Sequence, residues 1–157
     1  MNIRAEKSNE RFTGFELYYS DTLVENDNDN FKGEKIMNNY RKLEIYNLSY
    51  GLTIEVHKLT LALPGYEMYE EGSQLRRSSK SVTSNIAEVY GRRKYKADFI
   101  KFLIYSHSSN DETILHLNFI KDIHQNLESD ISELITKYNL LGRKINRYMQ
   151  YVIENWK

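Results

Sequence analysis

The sequence predicts an all-α protein: a single up-down-up-down four-helix bundle with a poorly ordered N-terminal extension. Three observations carry this. Four long stretches place apolar residues at alternating spacings of three and four, the pattern of one buried helical face. The breaks between those stretches are short, so successive helices must return antiparallel. One Pro and seven Gly in 157 residues leave little material for a loop-rich or all-β fold.

Residues 1–36 show no sustained period. Phe12, Phe15, Leu17, Tyr18 and Tyr19 could form a short helix, but the run ENDNDN after Val24 breaks any element. The run KGEKIM, Lys32 to Met37, adds a second consideration. Codons for Lys-Gly-Glu can spell a purine-rich ribosome-binding site ahead of an ATG. Met37 is therefore the expected native start, with 1–36 as leader to be excluded from the fold. Otherwise the acidic, Asn-rich extension is expected to be disordered. An intact mass of the native protein that includes 1–36 would sink the leader reading. The expected domain is thus 37–157.

In the first helix Leu43, Ile45, Leu48, Leu52, Val56, Leu59 and Leu63 mark the face, and Pro64-Gly65 ends it. The second runs from about Tyr66 to Tyr90, with a seam of Met68, Gly72, Leu75, Ser79, Val82, Ile86 and Val89. Gly91 is its stop. The third begins near Lys96 or Ala97 and runs to about His124 through Phe99, Leu103, Ser106, Asn110, Thr113, Leu117 and Ile120. Its middle, SHSSND from Ser106 to Asp111, is too polar for an ordinary core. A local bend, a polar cavity or a subunit contact is expected there. Gln125 and Asn126 with Glu128-Ser129-Asp130 read as a last turn and cap. The fourth helix follows with Ile131, Leu134, Tyr138, Leu141, Ile145, Tyr148 and Val152.

The absence of cysteine excludes disulfides, thiol catalysis and Cys-ligated zinc. No apolar run approaches membrane length and no signal peptide is evident, so a cytoplasmic location and no membrane partner are expected. Thirteen Tyr suit interfaces and base stacking as well as cores. The formal net charge of zero conceals a gradient. Residues 1–36 hold five Lys/Arg and eight Asp/Glu, leaving 17 cations against 14 anions, a net of +3, in 37–157.

That basicity collects between Gly72 and Lys101, where eight Lys/Arg face only Glu88 and Asp98. Arg76 and Lys80 flank one side of the second helix; Gln74, Ser78, Ser81 and Asn85 flank the other; Arg77 and Ser84 lie nearly opposite the seam. The small seam residues Gly72 and Ser79, with Ser84 and Asn85 on the polar side, are candidates for close packing or oligomer contact. The segment RRKYK then supplies Arg92, Arg93, Lys94 and Lys96 around Tyr95. These cations can contact phosphates, with Tyr90 or Tyr95 offered to an unstacked base. They can equally be a solvated loop complementing a helix C-terminus. From the residues alone the two readings are balanced.

The residues do not support other chemistry. A ferritin-like metal bundle needs Glu-x-x-His on two helices, and none occurs. Glu112 and His116 sit one turn apart, with His124 beyond, but a third ligand is missing. No phosphate-binding glycine loop, nucleophile elbow or zincin motif is present. A small helical ribonuclease would carry Arg a few residues before a His, and none of the four His has one. The expectation is a non-enzyme with no cofactor and no metal.

Gln74-Leu75-Arg76-Arg77-Ser78, Ser81 through Glu88, Gly91-Arg92-Arg93 and Asp98-Phe99-Ile100-Lys101-Phe102-Leu103 together form a long motif. It resembles that of the four-helix bundle proteins encoded in intervening sequences of bacterial large-subunit (23S) ribosomal RNA genes. The resemblance spans roughly 40–157. Thr83 stands where that family has Pro and Val89 where it has Gly, which implies a straighter second helix. The family is related to basic accessory proteins of diversity-generating retroelements, which work with RNA and a reverse transcriptase and form five-fold rings. The resemblance therefore implies a homopentamer that binds RNA or a reverse transcriptase-like partner. Arg76, Arg77, Lys80, Arg92, Arg93, Lys94, Tyr95, Lys96 and Lys101 are the expected nucleic-acid contacts. The alternative is an oligomeric protein scaffold that does not touch nucleic acid, and a ribonuclease is the weakest reading.

Overall fold

The computed structural model describes residues 40–156, so the expectations for 1–36 lie outside the described residues. A 3-10 turn, Tyr40–Lys42, leads into α1 (Glu44–Thr60). There follow α2 (Gly65–Tyr69), α3 (Glu71–Gly91), α4 (Lys96–Ile123), a 3-10 turn at Gln125–Leu127 and α5 (Glu128–Asn155). Among the described residues there is no strand. Helix α3 lies against α1 and α4, and α5 against α4 and α1, so the four long helices close a ring of antiparallel neighbours.

The seams meet in one core. Ile45, Leu52, Val56, Leu75, Val82, Ile86, Phe99, Leu117, Ile131, Leu141, Ile145 and Val152 are all buried in it. Leu48 and Met68 are only partly buried against its edge. Val89 is fully buried, and α3 passes through Thr83 and Val89 without a break. Thr83 also gains a use, its hydroxyl lying 3.1 Å from that of Thr53 on α1.

The second helix does not run unbroken from Tyr66. Glu70 takes φ −84° and ψ −103°, which separates the short α2 from α3. The break lets α2 fold back over the start of α3, and Gly72 makes room for it. A Cβ at Gly72 would sit 3.1 Å from both the Glu67 carbonyl oxygen and Leu63 Cδ1. Arg76 Nη2 donates to the Met68 carbonyl at 3.0 Å, satisfying an acceptor at the end of the short helix.

The polar middle of α4 does not break the helix, and one side of it turns inward while Ser108 and Asp111 stay exposed. Ser106, Ser109, Asn110 and Thr113 are buried inside a continuous helix. The polar flank of α3 answers them. Thr113 Oγ1 donates to Ser78 Oγ at 3.0 Å, the hydroxyls of Ser81 and Ser109 are 2.8 Å apart, and Ser106 Oγ donates to the Val82 carbonyl at 3.1 Å. On the α1 side, Thr53 Oγ1 donates to the Ser79 carbonyl at 3.0 Å. Buried hydroxyls are tolerated because they are paired.

Tyr138, fully buried on α5, has its phenol pKa pushed up by burial, with Thr53 and Ser79 opposing the shift and Glu55 adding to it. The ordinary value is 10.0. Below it the phenol is neutral in both folded and unfolded chains, so its stability contribution is complete. Above it the unfolded chain ionises first and binds fewer protons, so stability falls as pH rises, by up to about 1.4 kcal/mol per pH unit. Urea titrations at rising pH are expected to show Tyr138→Phe losing stability less steeply above 10.0 than the wild type.

Candidate nucleic-acid interface

Helical spacing places Arg77, Lys80, Ser84 and Gly91 along the outer face of α3, and all four are exposed. The line continues into the α3–α4 loop, where Arg92, Arg93, Lys94 and Tyr95 are exposed in turn. The loop is held by backbone bonds from Arg92 to the Val89 carbonyl at 3.0 Å and from Tyr95 to the Arg92 carbonyl at 2.9 Å. A Cβ at Gly91 would meet nothing within 4 Å, so this glycine ends the helix without a packing role.

The nine expected contact residues divide by what they touch. Arg77, Lys80 and Lys94 project from the surface. Arg92 pairs with Glu88 at 3.2 Å and lies over the Phe102 ring at 5.2 Å. Arg93 donates to the Tyr90 carbonyl at 3.0 Å and lies over the Tyr90 ring at 5.1 Å. Lys101 Nζ sits 5.7 Å from the Tyr105 ring centre. Two cations serve the fold itself: Arg76 at the Met68 carbonyl, and Lys96, whose Nζ donates to Ile153 at 2.9 Å and Trp156 at 2.7 Å. Lys96 thereby closes the C-terminal end of α5 with a positive charge.

Among the close-packing candidates, Gly72 and Ser79 are buried within the bundle. Asn85 is half-buried and its Nδ2 donates to the Ser81 carbonyl on its own helix at 2.9 Å. Ser84 is exposed. The side of α3 that carries the serines is spent on α4, inside the subunit.

Sequence reasoning missed two features. The first is a ridge on the outside of α4: Ile104, Leu115, Phe119 and Ile123, between 45% and 59% exposed. Its signal was available, since Leu115, Phe119 and Ile123 recur at a spacing of four beside the buried seam of Thr113, Leu117 and Ile120. The second is a pair of His–carboxylate approaches at the end of α4, a hydrogen bond to α3 and a longer contact to α2. His116 Nδ1 meets Glu71 Oε2 at 2.8 Å with Glu112 at 3.8 Å from Nε2, and His124 Nε2 lies 3.6 Å from Glu67. Among the described residues no His, Cys, Asp and Glu group has the arrangement to hold a metal, and no helix is long and apolar enough to cross a membrane.

The profile of the family described as 23S rRNA-intervening sequence protein matches residues 41–147, which takes in α1 to α4 and most of α5. The chain belongs to that family. No curated protein matches it. In this 23S rRNA-intervening sequence protein the matched range includes α3 and the α3–α4 loop, where the cations lie.

Lys96→Ala separates folding from binding within that group of cations. Removing two charge-assisted bonds at a helix end is expected to cost on the order of 1 kcal/mol. The loss should appear as earlier unfolding of the α5 terminus, read by fluorescence of Trp156, the only tryptophan in the chain. The salt dependence of any RNA binding should stay as in the wild type.

Proposed function

We propose that this family member is a non-enzymatic, self-associating bundle, in the pentameric arrangement its resemblance implies, that holds RNA by its phosphates. The observation that carries the reading is the exposed cationic line from Arg77 and Lys80 on α3 to Arg92, Arg93 and Lys94 in the loop. Glu88 is the one acid on that stretch, and Arg92 neutralises it. The outward apolar ridge of α4 supports self-association, since burying Leu115, Phe119 and Ile123 between copies removes apolar surface from water. Repeating a modest basic surface around an assembly multiplies weak phosphate contacts.

The test uses Arg77→Ala, Lys80→Ala and Lys94→Ala combined, all at surface positions that leave the core intact. Each lost phosphate contact is expected to flatten the salt dependence of RNA affinity by a slope of roughly 0.7 to 0.9. An unchanged affinity and slope would remove RNA from the reading. Phe119→Glu is the companion variant: light scattering is expected to show a smaller species than the wild type.

The second reading, a scaffold for protein partners such as a reverse transcriptase-like enzyme, draws on the same apolar ridge. It also draws on the number of cations already committed to rings and carbonyls. It predicts partner binding that survives the triple Ala variant.

A further inference from the structure

The way the cations are held says which form of nucleic acid the line on α3 fits. We infer that it takes a base-paired duplex rather than a single strand, an inference that rests on the RNA-phosphate reading above. Single strands gain much of their affinity by stacking unpaired bases on exposed aromatic rings. Here the nearby rings are taken. Tyr90 is buried and its ring lies beneath the Arg93 guanidinium at 5.1 Å, while Phe102 lies beneath Arg92 at 5.2 Å. Tyr105 has Lys101 over it at 5.7 Å. Tyr95 offers an open face at the tip of the loop, and the other widely exposed rings on this side of the chain, Tyr66 and Tyr69, belong to α2, before the start of α3 and away from the loop cations.

The presentation is also rigid. Arg77 and Lys80 stand on a helix that hydrogen-bonds through its length to Gly91, so the line from Arg77 to Arg92 has a fixed span of roughly 20 Å. Between the cations the outer face carries Ser84 and Gly91, both small, and Glu88, whose charge Arg92 meets at 3.2 Å, so the stretch from Arg77 to Ser84 can come close to a broad surface. A fixed row of cations separated by small residues matches phosphates held at fixed positions on a double helix. A flexible strand, whose phosphates must be ordered on binding, gains less from it. Ser84 and Gln74, both exposed, add neutral polar groups for sugar hydroxyls or phosphate oxygens.

The experiment measures affinity against salt for the full chain with a 20-base-pair RNA duplex, the same sequence single-stranded, and the matching DNA duplex. The expected result is at least tenfold tighter binding to RNA duplex than to single strand. Arg77→Ala and Lys80→Ala should each flatten the duplex slope by roughly 0.9, and Tyr95→Ala should leave duplex affinity unchanged. Single strand bound as tightly as duplex, or a duplex affinity that collapses with Tyr95→Ala, overturns the inference and leaves phosphate binding standing. Binding to DNA duplex but not RNA duplex keeps the duplex inference and overturns the RNA reading. No salt-dependent binding to any of the three overturns both.

Discussion

Phe99→Ala is expected to lower stability by about 3–5 kcal/mol, the range for emptying a fully buried aromatic site. The ring sits at the first turn of α4 and meets two aromatics of the α5 end edge-on. Tyr148 is 6.1 Å away and Trp156 4.9 Å, centre to centre. Such pairs add to the burial term, so this one side chain joins the start of α4 to the end of α5. The measurement is a urea titration followed by Trp156 fluorescence and, separately, by far-ultraviolet circular dichroism. Both transitions should move together to lower urea. A loss below about 1 kcal/mol would mean that the site refills by collapse and that Phe99 is not the anchor of this end.

The second large effect is expected at Gly142, where α5 meets the middle of α4. A Cβ there would lie 2.9 Å from Asn110 Nδ2, closer than real methyl contacts, with His107 Nε2 next at 3.8 Å. Asn110 is itself unusual, for it is buried and neither amide atom has a hydrogen-bond partner among the described residues. Gly142→Ala must displace that amide from a crowded layer, and a cost of about 1–3 kcal/mol is expected. Asn110→Ala clears the obstruction and also removes an unsatisfied polar group. The double variant should therefore be more stable than Gly142→Ala alone, with a coupling of about 0.5–3 kcal/mol in a double-mutant cycle. Strictly additive losses would show that the two residues do not oppose one another.

Much of the architecture was legible because it rests on periodicity. The apolar seams at three and four predicted the helix order, the antiparallel returns and nearly every core residue, since burial of one face is what each amphipathic segment requires. What periodicity could not show was pairing between polar groups. Ser106 to Asp111 read as too polar for an ordinary core because each residue was judged alone; Ser106 and Ser109 are in fact paired with the Val82 carbonyl and Ser81 of α3. The break at Glu70 was hidden for a related reason. Nothing in TyrGluGlu forbids a helix, and the fold-back depends on Gly72 and Arg76 acting on the other side of it. At the candidate interface, sequence gathered the cations but could not divide them. Arg77 and Arg76 are neighbours of one type, and only the distance to the Met68 carbonyl makes one a brace and leaves the other to solvent.

The hydroxyl bonds between α3 and α4 bear on how copies of this chain stay separate while they fold. Leucine and isoleucine faces are nearly indifferent to which copy supplies the opposite helix, and they tolerate sliding by a turn. The oxygens of Ser78, Ser81, Ser106 and Thr113 are not, because each has an assigned partner at about 3 Å. Sliding α4 by one turn, roughly 5.4 Å, would bury several of them unpaired, at about 1–3 kcal/mol each. A chain exchanging hairpins with its neighbour finds only one alignment in which every oxygen is matched, and the helix already tethered through the Arg92–Tyr95 loop reaches that alignment first. Serine, a weaker helix former than the Ala or Leu that could stand there, is thus what discourages entanglement between copies.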